Sequence, residues 1–355
     1  NNDGRLGKNL WTDQGEGEPI RVFRATTDGE EASFIIEEIQ ALKNSGIQLK
    51  SIALLYRSNA QSRILEHGLF SSGLPYKVYG GLRFFERQEV KHALAYLRLI
   101  ANSDDDGALL RIINFPTRGI GNRTIENIRD LAERTGISLW QAACSAPLSG
   151  RAVTAVTSFV TLIEKLKNET SGFSLPDLIE HSIENSGLVE HYQKDRDGQD
   201  RLENLNELIN AASAFIDERV SAPNLEAQVE VSADEDFSLI EIDPLIDFLA
   251  HASLEAGDNQ ASFGEDALQL MTVHAAKGLE FHSVFISGLE EGLFPHENSI
   301  NEHGGLEEER RLMYVAMTRA MRRLYLSHSQ MRMLHGQTRY NIESRFIDEI
   351  PGELL

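Results

Sequence analysis

The sequence predicts an α/β fold, a parallel sheet with covering helices, interrupted by an all-helical inserted domain. Three observations carry this. Residues 20–81 alternate short strand-like runs with amphipathic stretches in a β-α-β-α-β rhythm. From about residue 90 to 264 the apolar residues recur with a period near 3.6, and no run reads as a strand. Strand character then resumes at 268–273 and 323–327. The expected domain limits are 1–91 and 265–355 for the two parts of the α/β domain, and 92–264 for the helical insert.

Taken in order, residues 1–20 are polar and Gly-rich, with Trp11 as their one large anchor. IRVFRA (20–25) is expected as a strand, and 30–46 as a helix with Phe34, Ile35, Ile39 and Leu42 at helical spacing and Gly46 as its stop. SIALLYRS (51–58) reads as a strand, 60–73 as a helix, and PYKVYGG (75–81) as a short strand into a turn. Residues 89–102 open the insert as an amphipathic helix, and several more follow, including 201–220. The stretch 217–243 holds nine Asp or Glu against one Arg and reads as a solvated loop. Residues 307–319 form a helix with a charged start and an apolar face of Leu312, Tyr314, Val315 and Met317.

A chain of 355 residues can hold about two domains with cores of their own. No run of 18 or more apolar residues occurs, so no membrane span is expected. One cysteine, Cys144, excludes an internal disulfide and a multi-cysteine zinc site, in keeping with a reducing compartment. The net charge of −21 argues against nucleic-acid binding when averaged over the chain, yet local clustering is what counts. Arg111, Arg118, Arg123, Arg129 and Arg134 do cluster, around NFPTRGIGNRTIENI (114–128). The chain starts at Asn1, with neither a signal pattern nor an initiator Met, and is expected to be a fragment of a longer one.

Four stretches could carry chemistry. In VHAAKGLEF (273–281), Lys277, Gly278 and Glu280 sit in a turn after a strand. There a glycine admits a phosphate to backbone N–H groups, a lysine offsets its charge, and a carboxylate accepts from ribose hydroxyls. The same string also suits a plain capping turn. Thr272 and His274 are expected on one side of the strand end, as donors to a nucleic-acid backbone or as structural groups. Together with Arg319, these residues are expected at one rim, the carboxyl ends of the strands. Arg319 itself reads either as a helix cap or salt-bridge partner, or as a guanidinium that stabilises charge on a transferring phosphoryl group. Around Gly119 and Gly121, with Arg118, Arg123 and Thr124, the chain reads as a glycine hairpin leading into a helix. Such an N-terminus can hold a duplex phosphate, though a simple helix–helix turn fits as well. YGGLRFFERQEVK (79–91) combines aromatic and basic residues, either as a base-stacking platform or as a packed connection between domains.

VHAAKGLEF and YVAMTRA (314–320) resemble the last two helicase motifs of the UvrD/Rep/PcrA family of superfamily 1 DNA helicases. The resemblance extends to residues 3–12, YRSNAQSR (56–63), 79–102, PTRGIG (116–121) and EEGLFPH (290–296), in the family's order. It implies a RecA-like second motor domain with a helical insert, in an enzyme that uses ATP and Mg²⁺ to move 3′→5′ on single-stranded DNA. Arg319 is then the catalytic arginine finger, Gly278, Glu280 and Lys277 face the nucleotide, and Thr272 and His274 lie on the single-strand track. Arg118, Gly119, Gly121, Arg123 and Thr124 engage duplex DNA at a junction. The family's adenine-stacking Tyr and γ-phosphate Arg belong to a motif upstream of Asn1, so Tyr56 and Arg57 are not assigned to nucleotide; in that stretch Asn59, Gln61 and Ser62 read as a helix start able to hold phosphate. The implied compartment is the cytoplasm, with DNA repair proteins as partners.

One departure stands out. No GxxxxGK[ST] phosphate loop and no Asp-Glu-x-Gln metal site occurs in the sequence, so the chain alone is expected not to hydrolyse ATP. Most ATP and Mg²⁺ ligands would lie in a first motor half, and no metal ligand is expected here. Two other readings stay open: the motor part of a helicase–nuclease recombination subunit, and a DNA-binding module without a motor.

Overall fold

The computed structural model describes residues 17–221, 243–257, 265–334 and 337–355. Trp11, the family-like residues 3–12 and most of the acidic stretch 217–243 lie outside the described residues. The chain divides into two compact units, one comprising the residues up to Phe84 together with Glu255–Leu355, the other Phe85–Leu254. Both boundaries fall earlier in the chain than expected, at 84/85 and 254/255; at the first, a helix that begins at Gln88 packs within the helical unit.

The first unit is built on a seven-stranded sheet. Its strands are β1 (Arg21–Thr27), β2 (Ile52–Tyr56), β3 (Tyr76–Val78), β4 (Leu268–Thr272), β5 (Phe281–Ile286), β6 (Ala320–Leu334) and β7 (Gln337–Tyr340). The order is β1-β6-β5-β2-β4-β3, all parallel, with β7 added antiparallel to the far end of β6. Of these, β5 and β7 are not among the strands the sequence predicts, and β6 is much longer than the expected 323–327. Helices α1 (Asp28–Asn44) and α2 (Ser62–Ser71) cover one face.

The alternation within β2 shows how both faces are filled. Ile52, Leu54 and Tyr56 join Ile35, Ile39, Leu65 and Leu69 on the α1–α2 side. Ala53 and Leu55 join Met271, Val284, Ile286 and Leu326 on the other. The start of α1 is fixed locally: the Glu30 N–H donates to the Thr27 hydroxyl, and the Glu30 carboxylate accepts from the Thr26 N–H at 2.6 Å.

The second unit is helical throughout its described residues. It contains α3 (Gln88–Ala101), α4 (Asp106–Ile112), α5 (Asn122–Thr135), α6 (Leu139–Ser145), α7 (Arg151–Glu169), α8 (Leu175–Asn185), α9 (Leu188–Tyr192), α10 (Gly198–Ser221) and α11 (Pro244–Gly257), whose last residues fall past the boundary. The central helix is α3, with Val90, Ala93, Tyr96, Leu97 and Leu99 buried. Side-chain caps start three of the others: Asp105 accepts from Ala108 N–H, Ser138 from Gln141 N–H and Ser174 from Asp177 N–H. Back in the first unit, α12 (Glu297–Ile300), α13 (Gly305–Met317) and α14 (Arg345–Asp348) complete the chain. Met313 and Ala316 of α13 pack on the second sheet face with Phe346 and Ile347 of α14. None of the described helices is long and apolar enough to cross a membrane.

Candidate functional site

At the carboxyl end of β4, Thr272 is half-buried and its hydroxyl accepts from the Ala275 N–H at 3.3 Å. The strand stops there, so His274 lies in the following turn, exposed, and strand alternation does not set its direction. Residues 273–280 then cross the sheet face. Ala276, fully buried, anchors the crossing: its N–H donates to the Thr272 carbonyl and its own carbonyl accepts from Leu279 N–H. Lys277, Gly278 and Glu280 are all exposed on this segment. Gly278 has φ +86°, and a Cβ built there would meet nothing within 4 Å, so the turn is open to an incoming group.

The crossing ends where β5 begins, and here Arg319 arrives. Phe281 donates its N–H to the Arg319 carbonyl at 2.9 Å, and Phe281 stands opposite Ala320 in the sheet register. The Arg319 guanidinium is half-buried. It donates to the Leu279 carbonyl at 2.8 Å, the Val315 carbonyl at 3.0 Å and the Thr318 hydroxyl at 3.1 Å. All three acceptors are neutral, and among the described residues no carboxylate pairs with it. Arg57, Arg310, Arg332 and Arg345 each hold a Glu instead.

The structure corrects the expectation of a single rim. Thr272 and His274 belong to the carboxyl end of β4 and Glu280 and Arg319 to the amino ends of β5 and β6, while Lys277 and Gly278 lie on the run between them, the Lys277 N–H donating to the His274 carbonyl at 3.4 Å. A parallel crossover has to bring the chain back to the amino end before the next strand can start. The six residues of β5 put about 20 Å between the levels of Thr272 and Arg319.

At the carboxyl rim the YRSNAQSR stretch turns inward. Tyr56 is buried. Arg57 grips Glu309 of α13 through Nε at 2.9 Å and Nη2 at 2.6 Å. Burial pushes the Glu309 carboxyl up, but hydrogen bonds and charge from Arg57, with the His296 N–H, outweigh it and hold it below its ordinary value. Gln61 accepts from the Arg57 and Ser58 N–H groups, and Ser62 donates to Glu66, so this helix start is occupied by internal partners rather than held open for phosphate. Nearby, Arg332 bridges two fully buried carboxylates, Glu31 at 2.6 Å and Glu290 at 2.7 Å, and Asn341 and Ser329 donate to Glu290 as well. The YGGLRFFERQEVK stretch buries both phenylalanines, Phe84 and Phe85, which rules them out as an open stacking platform.

In the helical unit, α4, the glycine hairpin and α5 follow one another as expected. The Asn114 side-chain oxygen accepts from the Arg118 and Ile120 N–H groups, which leaves the N–H groups of Gly119 and Gly121 without an acceptor among the described residues. Gly121 is the N-cap of α5 and supplies no side-chain cap bond. Arg123 is exposed beside it and Thr124 half-buried. Arg118 behaves differently from the reading above. Its guanidinium donates to the carbonyls of Ile112, Pro116 and Ser186 and to the Tyr96 hydroxyl. With that many internal acceptors it holds the hairpin in place instead of reaching outward.

The family model for the UvrD-like helicase C-terminal domain matches residues 1–331, and the chain belongs to that family. DNA helicase II of Escherichia coli is 47% identical over 361 residues, covering 100% of this chain and 48% of that protein. ATP-dependent DNA helicase PcrA of Bacillus subtilis is 42% identical over 363 residues, covering 100% and 47%. ATP-dependent DNA helicase UvrD1 of Mycobacterium tuberculosis is 41% identical over 364 residues, covering 100% and 46%. The chain spans about half the length of these relatives.

Proposed function

We propose that this chain forms the second motor domain and duplex-engaging insert of an ATP-dependent 3′→5′ DNA helicase that acts in DNA repair in the cytoplasm. The observation that carries the reading is Arg319, a half-buried guanidinium held on neutral acceptors, beside an exposed turn bearing Lys277, Gly278 and Glu280. An arginine without a carboxylate partner keeps its full charge for an incoming anion, and on a transferring phosphoryl group such a finger is worth roughly 10³–10⁵ in rate. Lys277 and the backbone at Gly278 suit ATP phosphates, and Glu280 suits ribose hydroxyls. This donor set fits one side of a nucleotide. It offers no group of carboxylates for Mg²⁺, so the metal's ligands are assigned to a first motor half.

Thr272 and His274, at the opposite rim, would hold single-stranded DNA. Gly119, Gly121, Arg123 and Thr124 would hold duplex phosphates at a single-strand/duplex junction, with Arg118 as the brace behind them. Repair proteins are the expected partners. The chain by itself should not turn over ATP, because its 355 residues include no phosphate loop. The test is Arg319→Ala in a full-length helicase carrying this chain. DNA-stimulated ATP hydrolysis should be lost while ATP still binds, and near-normal turnover would reject the reading.

A further inference from the structure

Three separate stretches of the chain converge on one carboxylate that no role above has used. Arg57 comes from YRSNAQSR, His296 from EEGLFPH and Glu309 from the helix that leads into YVAMTRA. Glu309 is 1% exposed. It accepts two-point bonds from the Arg57 fork, with Nε at 2.9 and 3.1 Å and Nη2 at 2.6 Å, and a third contact from the His296 N–H at 3.1 Å. Ser299 of α12 lies 3.5 Å from Arg57 Nη2 and completes the nest.

The position of this clamp matters. Arg57 directly follows β2, beside the end of β4, since Tyr56 is in register with Thr272. It therefore sits at the rim that carries Thr272 and His274. Glu309 lies early in α13, whose thirteen residues span about 20 Å and lead at their far end into Thr318 and Arg319. A buried pair of charges adds little net stability over an apolar pair of the same size, because desolvation offsets the attraction. What a fork-and-carboxylate contact does supply is a single geometry. Held at this end and packed through Met313 and Ala316, α13 has one lengthwise position on the sheet, and that position decides where Arg319 emerges.

We propose that Arg57 and Glu309 are positioning residues for Arg319, clamping α13 at the DNA-facing rim so that its far end delivers the guanidinium to the nucleotide. The inference rests on the reading of Arg319 as the finger. A second ion pair on the same helix serves as a control: Arg310 bonds Glu349 at 2.8 Å, and both side chains are more than a fifth exposed.

The experiment measures steady-state ATP hydrolysis with saturating single-stranded DNA in a full-length helicase carrying this chain. Glu309→Gln keeps shape and an acceptor for His296 but loses the charge, and Arg57→Lys keeps charge but loses the fork. Each should lower kcat about tenfold or more, with the ATP KM and single-strand affinity within about twofold, as misplacement of a catalytic group does. Glu349→Gln should leave kcat within about twofold. Added to Arg319→Ala, Glu309→Gln should cause no further loss, the non-additivity expected when one residue acts through another. Melting temperatures identify variants that remain folded at the assay temperature. If folded Glu309→Gln and Arg57→Lys both keep wild-type kcat and lose only thermal stability, the clamp is structural and the inference is overturned. A kcat loss that simply adds to that of Arg319→Ala overturns it too. If Arg319→Ala itself retains turnover, the finger reading fails first, and the two failures are told apart.

Discussion

Single residues in this protein separate by what they are paired with. Arg319 is set apart from its neighbours only by three neutral acceptors, a property no sequence window displays. Its motif is legible through the family resemblance, but the bare pattern favours a cap or a surface salt bridge. Arg118 shows the converse, since a basic residue in a glycine hairpin reads as a phosphate ligand until its internal acceptors are seen. Glycines divide in a similar way. Gly278 and Gly288 both have positive φ, yet a Cβ at Gly278 meets nothing, while at Gly288 it would lie 2.1 Å from the Gln61 amide nitrogen. Gln61 has little freedom to retreat, because its oxygen holds the Arg57 and Ser58 N–H groups. Gly278→Ala should therefore cost about 1–2 kcal/mol of backbone strain. Gly288→Ala should add an overpacking cost of about 1–3 kcal/mol. Chemical denaturation of the two variants side by side checks this, and equal destabilisation would contradict it.

At the scale of elements, strands and helices with a clean period were readable, and those whose character depends on partners were not. The first three strands and α1 to α3 lie within a few residues of expectation. FHSVFI (β5) does not read as a strand in the sequence because His282 and Ser283 interrupt its apolar run. Without that strand the sequence shows no crossover between Thr272 and Arg319. The long-range ties were equally silent: Arg57 to Glu309 and Glu31 to Arg332 join residues 252 and 301 positions apart. For the α4–hairpin–α5 element, the proposed phosphate grip has a salt signature. Arg123→Ala should weaken junction binding alike on all sequences and lower the slope of log K against log salt by about one. Titrations at several salt concentrations measure it, and an unchanged slope would remove Arg123 from the interface.

Over the whole molecule, the two units carry different acid-sensitive groups. In the helical unit, burial, with Arg111, His191 and Arg201 nearby, holds His92 down to about 4, and the ring stacks on Phe115 and meets the Tyr192 hydroxyl. Between its ordinary 6.5 and about 4, the unfolded chain binds a proton that the native fold refuses, so stability falls as pH drops through that window. In the sheet unit, Glu290 and Glu309 are buried, which alone would raise them, but their arginine partners and hydrogen bonds keep both below their ordinary 4.5. Their contribution is present above pH 4.5 and is lost only as pH falls further. Acid should accordingly loosen the helical unit before the sheet unit. Trp140 lies in α6, so its fluorescence in a Trp11→Phe background reports the first step, while circular dichroism follows both. His92→Gln should remove the early phase. A single shared midpoint in both signals would show that the units do not respond separately.

The crossing at 273–280 has a genetic consequence. One short run of chain carries the residues proposed for DNA at its start and those proposed for nucleotide at its finish, with Ala276 buried between them. Lesions here should not sort into clean complementation classes. A bulky replacement at Ala276 would displace both ends together and give a mixed phenotype, strand binding and ATP use impaired in one allele. Exchanges at exposed His274 or Glu280 would each spare the other trait.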